Sequence, residues 1–487
     1  SSAYGVACAM KAMNNKNFAV AVVGDGAMTG GMTYEGMNNA GKSDANLVVI
    51  LNINEMSISK NVGGMAKYLS ALRYKGSYLK TKSLVEQFLD RTPIIGKPLK
   101  AGLKKSKNAI KNAILDSTIF EEWGFEFIGP VDGHNIRNLE EALRAAKLKR
   151  RPVIVAVYTV KGKGYPPAEA NPGGYHGVSS FELATGNPDV IQENSYSAIF
   201  GKYLTQLARR DTRICAVTAA MKYGTGLQYF YKEFPNRFFD VGIAEEHAVT
   251  FCGGLAVMGM IPVFAVYSTF LQRGYDQLIH DISISNTHAI ICVDRAGIVG
   301  DDGETHNGIF DVPFLTTIPN ITIYSPANNS ELKLCLNKSI YNEAGLVVVR
   351  YPRGSDNTKP TRIEPNSSFV YTNNNSKTLV ISYGRLINNV YSAGEILKEK
   401  GIDCDILKLV KIYPILDEVK NIVSKYNNVI FFEESEYQGS ISQKFEAMFS
   451  TVKSYAINGF IKQATVQEVF EDLSFDVAGI VKIIEEI

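Results

Sequence analysis

At 487 residues, with 45% hydrophobic and 21% charged positions, the chain has the makeup of a globular protein of about two to four domains, far from disordered or fibrous compositions. Lysine and arginine total 51 against 49 aspartate and glutamate, a formal charge of +2, which excludes general attraction for nucleic acid and leaves any basic site to local clustering. No apolar run reaches the roughly 18–20 residues of a membrane helix, and six widely spaced cysteines without a CxxC pair fit a reduced, cytoplasmic protein.

Ser1 to Met10 reads as the inside of a helix with no start methionine, charged leader or cleavage site, and predicts that the natural protein extends upstream. The β-branched run Phe18 to Val23 predicts a strand that ends in Gly24-Asp25-Gly26, and Leu47 to Leu51 a second strand that ends in Asn52-Ile53-Asn54-Glu55-Met56. Lys67 to Lys111 is lysine-rich and reads as helices and loop on a solvated surface, with no chemistry assigned. Val153 to Val157 predicts a further strand, and Asn171 to Ser195, with its Asn-Pro-Gly-Gly and Thr-Gly-Asn-Pro turns, an interdomain connection. A second α/β block begins near Tyr196, with strands at Ile214 to Thr218, Val263 to Val266 and Ala289 to Asp294. Ser355 to Ser368 marks a second linker, beyond which Thr378 to Ser382, Asp403 to Leu407 and Asn428 to Phe432 read as strands between helices. The expectation is three α/β domains with mostly parallel, helix-flanked sheets: residues 1–192, incomplete at the front, then 193–368 and 369–487.

Both Gly24-Asp25-Gly26 and the Asn54 loop fall at carboxyl ends of strands, where open α/β sheets bind ligands. A hard divalent cation wants oxygen ligands, so the Asp25 carboxylate, the Asn54 amide oxygen and a backbone carbonyl at Met56 would supply half of a Mg²⁺ shell, with diphosphate oxygens completing it. Gly24 and Gly26 let the backbone approach phosphate, and Gly26 is expected to open a helix whose positive end faces it. Gly-Asp-Gly alone often merely turns a strand into a helix. Followed 29 positions later by Asn54 after a second strand, it resembles the thiamine diphosphate motif. Thiamine chemistry also needs a carboxylic acid beside the aminopyrimidine ring. Glu245, in Val241-Gly242-Ile243-Ala244-Glu245-Glu246-His247, stands where transketolase-like enzymes carry that acid, although taken singly a glutamate there is a helix cap.

A wider set of strings resembles the 1-deoxy-D-xylulose-5-phosphate synthase family of transketolase-like enzymes. It comprises Gly24-Asp25-Gly26-Ala27-Met28-Thr29, Asn54-Glu55-Met56-Ser57-Ile58-Ser59, Ile128-Gly129-Pro130-Val131-Asp132-Gly133-His134, Tyr267 to Arg273, Asp294 to Gly300 and Tyr351-Pro352-Arg353-Gly354. The resemblance spans roughly residues 1 to 360 and is looser beyond. It implies a transketolase-like fold with thiamine diphosphate and Mg²⁺ as cofactors, in a homodimer. The implied reaction joins pyruvate to D-glyceraldehyde 3-phosphate with loss of carbon dioxide, for isoprenoid precursor, thiamine and pyridoxal synthesis. It also implies that Gly24, Asp25, Gly26, Ala27, Asn54, Met56 and Lys161 contact the cofactor and that Phe270 stacks on its aminopyrimidine ring. Tyr267, Arg295 and Arg353 would bind the acceptor phosphate, with Arg273 a further candidate. Asp302 and His306 would hold the pyruvate-derived intermediate, with His176 near the reacting carbon. Read without the resemblance, the arginines could be salt-bridge partners and the two aromatics core residues. His134, His247, His280 and His288 receive no chemistry.

Five departures stand out. Ile53 occupies a place where the family usually has aspartate, and Asn307 one where it has glutamine. Glu433-Glu434-Ser435 and the run after Asn458 match poorly, which is expected to touch stability first. The front segment, which in the family brings further histidines, is not in this sequence. Two rival readings follow, a transketolase and a non-catalytic thiamine-fold subunit.

Overall fold

The computed structural model describes residues 1–56, 62–74, 118–149, 151–178, 180–187, 194–356 and 368–486. Most of the lysine-rich stretch, Ser57-Ile58-Ser59, part of the first expected linker and most of the second lie outside these residues. The chain forms two compact units, one of Ser1–Val190 with Gly242–Ala244 and one of Ile191–Val241 with Glu245–Ile487.

The first unit is built on four parallel strands, β1 (Ala19–Gly24), β2 (Leu47–Ile53), β3 (Glu126–Asp132) and β4 (Val153–Tyr158), in the order β1-β2-β4-β3. Side chains alternate across a sheet, so β2 and β4 feed two cores. Leu47, Val49, Leu51 and Ile53 pack with Ile154 and Ala156 on one face, and Val48 packs with Val153, Val155 and Val157 on the other. Burial on both faces explains why these strands are continuous apolar runs rather than alternating ones. Ser2–Ala12 is helical. Ile53 is fully buried in this core, which accounts for an apolar side chain where the family usually carries an acid.

The second unit holds two sheets. Strands β5 (Ile214–Thr218), β6 (Phe238–Asp240), β7 (Ile261–Tyr267), β8 (Ala289–Asp294), β9 (Ile321–Tyr324) and β10 (Leu346–Arg350) belong to a seven-stranded sheet. Strands β11 (Phe369–Thr372), β12 (Thr378–Tyr383), β13 (Asp405–Leu409), β15 (Asn428–Glu436) and β16 (Val452–Ile457) form a five-stranded one. The short strand β14 (Lys411–Tyr413) leaves the five-stranded sheet's sequence and pairs antiparallel with β9, completing the order β14-β9-β10-β8-β7-β5-β6. The last third of the chain is thereby bonded into the middle sheet. Apart from that pair and β11 with β13, the described strand pairs are parallel.

Two strands of the five-stranded sheet depart from their expected bounds and carry buried polar side chains. β15 continues past Phe432 through Glu433, Glu434 and Ser435, all buried, because each polar side chain finds partners inside. Glu433 accepts from the Tyr383 hydroxyl at 2.5 Å and from the backbone N–H groups of Ile441 and Ser442 at 3.0 and 2.7 Å. β13 is shifted to Asp405–Leu409 and carries Lys408, whose ammonium is fully buried and paired with Glu331. Five of the six cysteines are buried and all are free; Cys8 is exposed. Among the described residues no helix is long and apolar enough to cross a membrane.

Candidate active site

In the first unit the chain leaves β1 at Gly24 and places Asp25 at the sheet's carboxyl end with only 2% of its surface exposed. Its backbone N–H still bonds to Asn52 of β2, so the carboxylate is held against the end of the neighbouring strand. There Oδ2 accepts from the N–H groups of Asn54 and Glu55 at 3.0 and 2.6 Å. Glu55 adopts the left-handed region at φ 64°, an arrangement that costs about 1–3 kcal/mol and persists only where neighbours fix it. Two clamps do so here, the Asp25 carboxylate and the Ser70 hydroxyl, which donates to Glu55 Oε1 at 2.9 Å. Asn54 closes the turn by accepting from the Met56 N–H at 3.0 Å through Oδ1. Asp25, Asn54 and Met56 are therefore brought together by two strand ends. Among the described residues no three His, Cys, Asp or Glu side chains gather as metal ligands, so a cation here would draw on one carboxylate, one amide oxygen and a backbone carbonyl.

Gly26 does not open a helix. It caps a three-residue 3-10 turn over Ala27–Thr29, and the helix starts only at Gly31. The turn is locked from within, because the hydroxyls of Thr29 and Thr33 donate to the carbonyls of Gly26 and Ala27 at 2.8 and 2.9 Å. A helix-end field on phosphate is not expected from so short an element.

Lys161 and His176 meet in the same unit, with Nζ 2.8 Å from Nδ1. An ammonium donates to the ring nitrogen only if that nitrogen is unprotonated. Partial desolvation and the neighbouring ammonium both hold the His176 imidazole below its usual range, so it accepts as the neutral form. Desolvation also lowers the Lys161 ammonium, while the Asp25 carboxylate opposes that shift. His134, given no chemistry from sequence, accepts from the Val160 N–H at 2.8 Å through Nε2 and so fixes the strand exit before Lys161.

In the second unit Glu245 is the first residue of the helix Glu245–Val257 and is 3% exposed. Burial pushes its carboxyl above the usual carboxylate range, and Arg273, which pairs with it, opposes that shift. Arg273 also reaches Glu246 at 3.1 Å, so it belongs to this acid pair and not to the arginine cluster described next.

That cluster collects the remaining predicted residues. β7 ends at Tyr267 and the following turn carries Phe270, whose ring stacks on Tyr267 at 5.7 Å and meets His306 edge-on at 5.5 Å. His306 is tied to the same turn, because Thr269 donates to the Thr305 carbonyl at 2.9 Å. Arg295, just past β8, lays its guanidinium over the Tyr267 ring at 3.7 Å, a contact typically worth about 0.5–2 kcal/mol. Burial raises the Tyr267 phenol to about 12, so it stays a neutral donor. Arg295 is left-handed at φ 60° and is held by bonds to the Gly224 carbonyl and the Asp294 carboxylate at 3.1 and 3.2 Å, while its Nε is buried without a hydrogen-bond partner. Arg353 comes from the loop after β10. The carboxylate of Asp302 lies between the two guanidiniums, 3.8 Å from Arg295 and 3.4 Å from Arg353.

Asp294 was not singled out from sequence. It is fully buried, takes the Ser197 hydroxyl at 2.6 Å and supports Arg295 from below. A carboxylate ending the apolar strand Ala289 to Val293 was the available signal. Asn307 turns away from the cluster, accepting from the Val299 N–H at 3.0 Å and donating to the Ile461 carbonyl at 3.4 Å.

Three family descriptions match successive segments of the chain. The family description "1-deoxy-D-xylulose-5-phosphate synthase" matches residues 1–159, "Transketolase, pyrimidine binding domain" residues 192–357 and "Transketolase, C-terminal domain" residues 369–480. Among curated relatives, a 1-deoxy-D-xylulose-5-phosphate synthase of Clostridium kluyveri is 46% identical over 91% of this chain and 71% of its own length. Those of Clostridium tetani and Caldanaerobacter subterraneus are 40% and 42% identical, over 99% and 98% of this chain and 79% and 78% of their own. Among solved structures, a split-gene transketolase described as an inactive beta4 tetramer superposes with a TM-score of 0.54 at 21% identity, over 60% of this chain and 97% of that one. A transketolase of Campylobacter jejuni gives a TM-score of 0.54 at 16% identity, over 100% of this chain and 80% of that one. At those identities the structures speak for the fold alone.

Proposed function

Because the chain belongs to the 1-deoxy-D-xylulose-5-phosphate synthase family, we propose that it joins pyruvate to D-glyceraldehyde 3-phosphate, releasing carbon dioxide and a five-carbon ketose phosphate, with thiamine diphosphate and Mg²⁺ bound. Bound thiamine diphosphate supplies an electron sink that lets a 2-oxo acid lose carbon dioxide. The donor set suits it. Asp25 Oδ2 is engaged by two N–H groups while Oδ1 accepts no hydrogen bond among the described residues, and Asn54 Oδ1 has taken only the Met56 N–H. These oxygens, with the Met56 carbonyl, would hold Mg²⁺ on a diphosphate, and Lys161 would add a cation. Gly24, Gly26 and Ala27 line the approach.

Glu245 is the proton-handling group of this reading. Its raised carboxyl can keep or share a proton with a ring nitrogen, which an ordinary surface carboxylate does poorly near neutral pH. Phe270 offers a flat face for the ring. His306 and Asp302 would orient the three-carbon donor, and the neutral His176 offers a proton acceptor near the reaction.

The observation that carries the reading furthest is the pair of guanidiniums converging on Asp302, with Tyr267 beneath one of them. Two forks and a phenol suit a phosphate dianion better than a neutral sugar end. We also propose a cytoplasmic homodimer feeding isoprenoid precursor, thiamine and pyridoxal synthesis, with residues 1–192 for the diphosphate, 193–368 for the aminopyrimidine and 369–487 as the C-terminal domain.

The test is stoichiometric release of carbon dioxide from labelled pyruvate that depends on glyceraldehyde 3-phosphate, thiamine diphosphate and Mg²⁺. Transfer from a ketose phosphate without carbon dioxide would identify a transketolase, and cofactor binding without turnover a non-catalytic subunit.

A further inference from the structure

Arg353 is not held by its own loop alone. Its Nη1 donates to the Val299 carbonyl at 3.1 Å, so the direction of the guanidinium follows the backbone one residue beyond Ile298. That segment is clamped by residues of the last third of the chain. The Ile298 N–H donates to Glu434 Oε1 at 2.7 Å, and the Ile298 carbonyl accepts from Arg385. Arg385 closes the ring through a second, bidentate pairing with Glu434, in which Nε lies 3.1 Å from Oε2. One peptide unit on each side of Ile298 is thus fixed by a single ion pair, whose carboxylate is 7% and guanidinium 17% exposed.

The fit leaves little room for an alternative. Gly297 sits at φ 80°, and a β-carbon there would lie 2.6 Å from the Glu434 carboxyl carbon, so only glycine lets the carboxylate approach. The Ile298 side chain is fully buried in the core of the five-stranded sheet. A buried pair of this kind is weak as a source of stability, because desolvating two charges offsets their attraction. It does fix geometry.

We infer that Glu434 and Arg385 are positioning residues for the acceptor phosphate, acting through the Ile298 and Val299 peptides on the guanidinium of Arg353. The inference rests on reading Arg353 as a phosphate ligand and gives the C-terminal third a part in substrate selection. Neither residue touches substrate.

The experiment is calorimetric titration of glycerol 3-phosphate, an unreactive phosphomonoester, into the full chain loaded with thiamine diphosphate and Mg²⁺. Glu434→Gln is expected to weaken binding roughly threefold to thirtyfold, the range over which residues remote from a ligand modulate a site. The amide can replace only one of the two carboxylate oxygens, so either the contact to Arg385 Nε or the contacts made by Oε1 are lost, and the charge that pairs with Arg385 is lost in both cases. Arg385→Lys keeps the charge but loses the fork, and is expected to weaken binding in the same direction; it covers the case in which Glu434→Gln does not fold. In an Arg353→Met background Glu434→Gln should have no further effect, because the route to the phosphate is gone. Unchanged affinity in folded Glu434→Gln or Arg385→Lys overturns the inference, as does an undiminished effect in the Arg353→Met background. Wild-type affinity in Arg353→Met alone removes the phosphate reading and the inference with it, and that result is seen in a variant that leaves Glu434 untouched.

Discussion

Replacing Glu245 by glutamine should move catalysis and stability in opposite directions. The carboxyl's folded-state pKa is raised, with burial the largest cause and Arg273 opposing it. A carboxyl raised in this way contributes stability that is full below its unfolded pKa of about 4.3 and is lost as pH climbs through the folded value. At pH 7.5 the buried charge is therefore a net burden, of about 1.4 kcal/mol for each unit by which the folded pKa exceeds the unfolded one. Glutamine has the same shape without the charge. Arg273 keeps a partner in Glu246 at 3.1 Å and is one-third exposed, so it is not stranded. The variant should thus unfold at equal or higher urea concentration than the wild type at pH 7.5, with the advantage shrinking as pH falls toward 4.5. Turnover should drop by roughly 10²-fold or more, because an amide cannot pass a proton to the ring. The assay pairs urea melts at several pH values with carbon dioxide release. A variant that is less stable at pH 7.5 and retains turnover would mean that Glu245 serves as a structural partner of Arg273 and no more.

Three further outcomes are expected. Asp25→Asn keeps an oxygen for the Asn54 and Glu55 N–H groups but lacks the charge, so Mg²⁺-dependent thiamine diphosphate affinity should fall at least about tenfold with an unchanged melting curve, as judged by calorimetry. Arg353→Met should raise the KM for glyceraldehyde 3-phosphate by about tenfold to a hundredfold, from a lost charge-assisted bond of about 1.5–3 kcal/mol, with pyruvate KM little changed. The His176 imidazole should titrate below about 6.5 by magnetic resonance, its neutral form being favoured above that pH and lost as pH falls through the depressed value, and Lys161→Met should move the midpoint upward.

What could be read from sequence followed burial. Ile214 to Thr218 and Ala289 to Asp294 coincide with β5 and β8, because fully buried parallel strands write themselves as apolar runs. The 3-10 turn after Gly26 was not legible, since a glycine after a strand marks a turn without saying how soon the helix follows. The expected strand stops at Phe432, before two successive glutamates, and nothing local announces that Tyr383, Ile441 and Arg385 will meet them inside. The same limit applies to Arg273. The resemblance made it a further candidate for the acceptor phosphate, whereas the turn it occupies directs it to the start of the helix at Glu245.

Charge balance explains why Asp302 stands where it does. Arg295 is mostly buried beside Asp294, and Arg353 is about two-thirds covered, so two guanidiniums at close quarters would repel each other in a medium of reduced dielectric. Burial pushes the carboxyl of Asp294, beneath Arg295, above the usual range, which leaves Asp302 as the carboxylate shared by both forks on the exposed side, with Asp301 4.0 Å from Arg353 alone. A dianionic phosphate arriving between the arginines would bring more charge and more acceptor oxygens than one carboxylate, and would have to share or displace those contacts. A neutral acceptor would bring neither and would leave the forks on Asp302. With Arg295 and Arg353 read as the proposed phosphate ligands, the arrangement would discriminate by charge before shape, and its sharpness would depend on how firmly the Val299 carbonyl holds Arg353 in place.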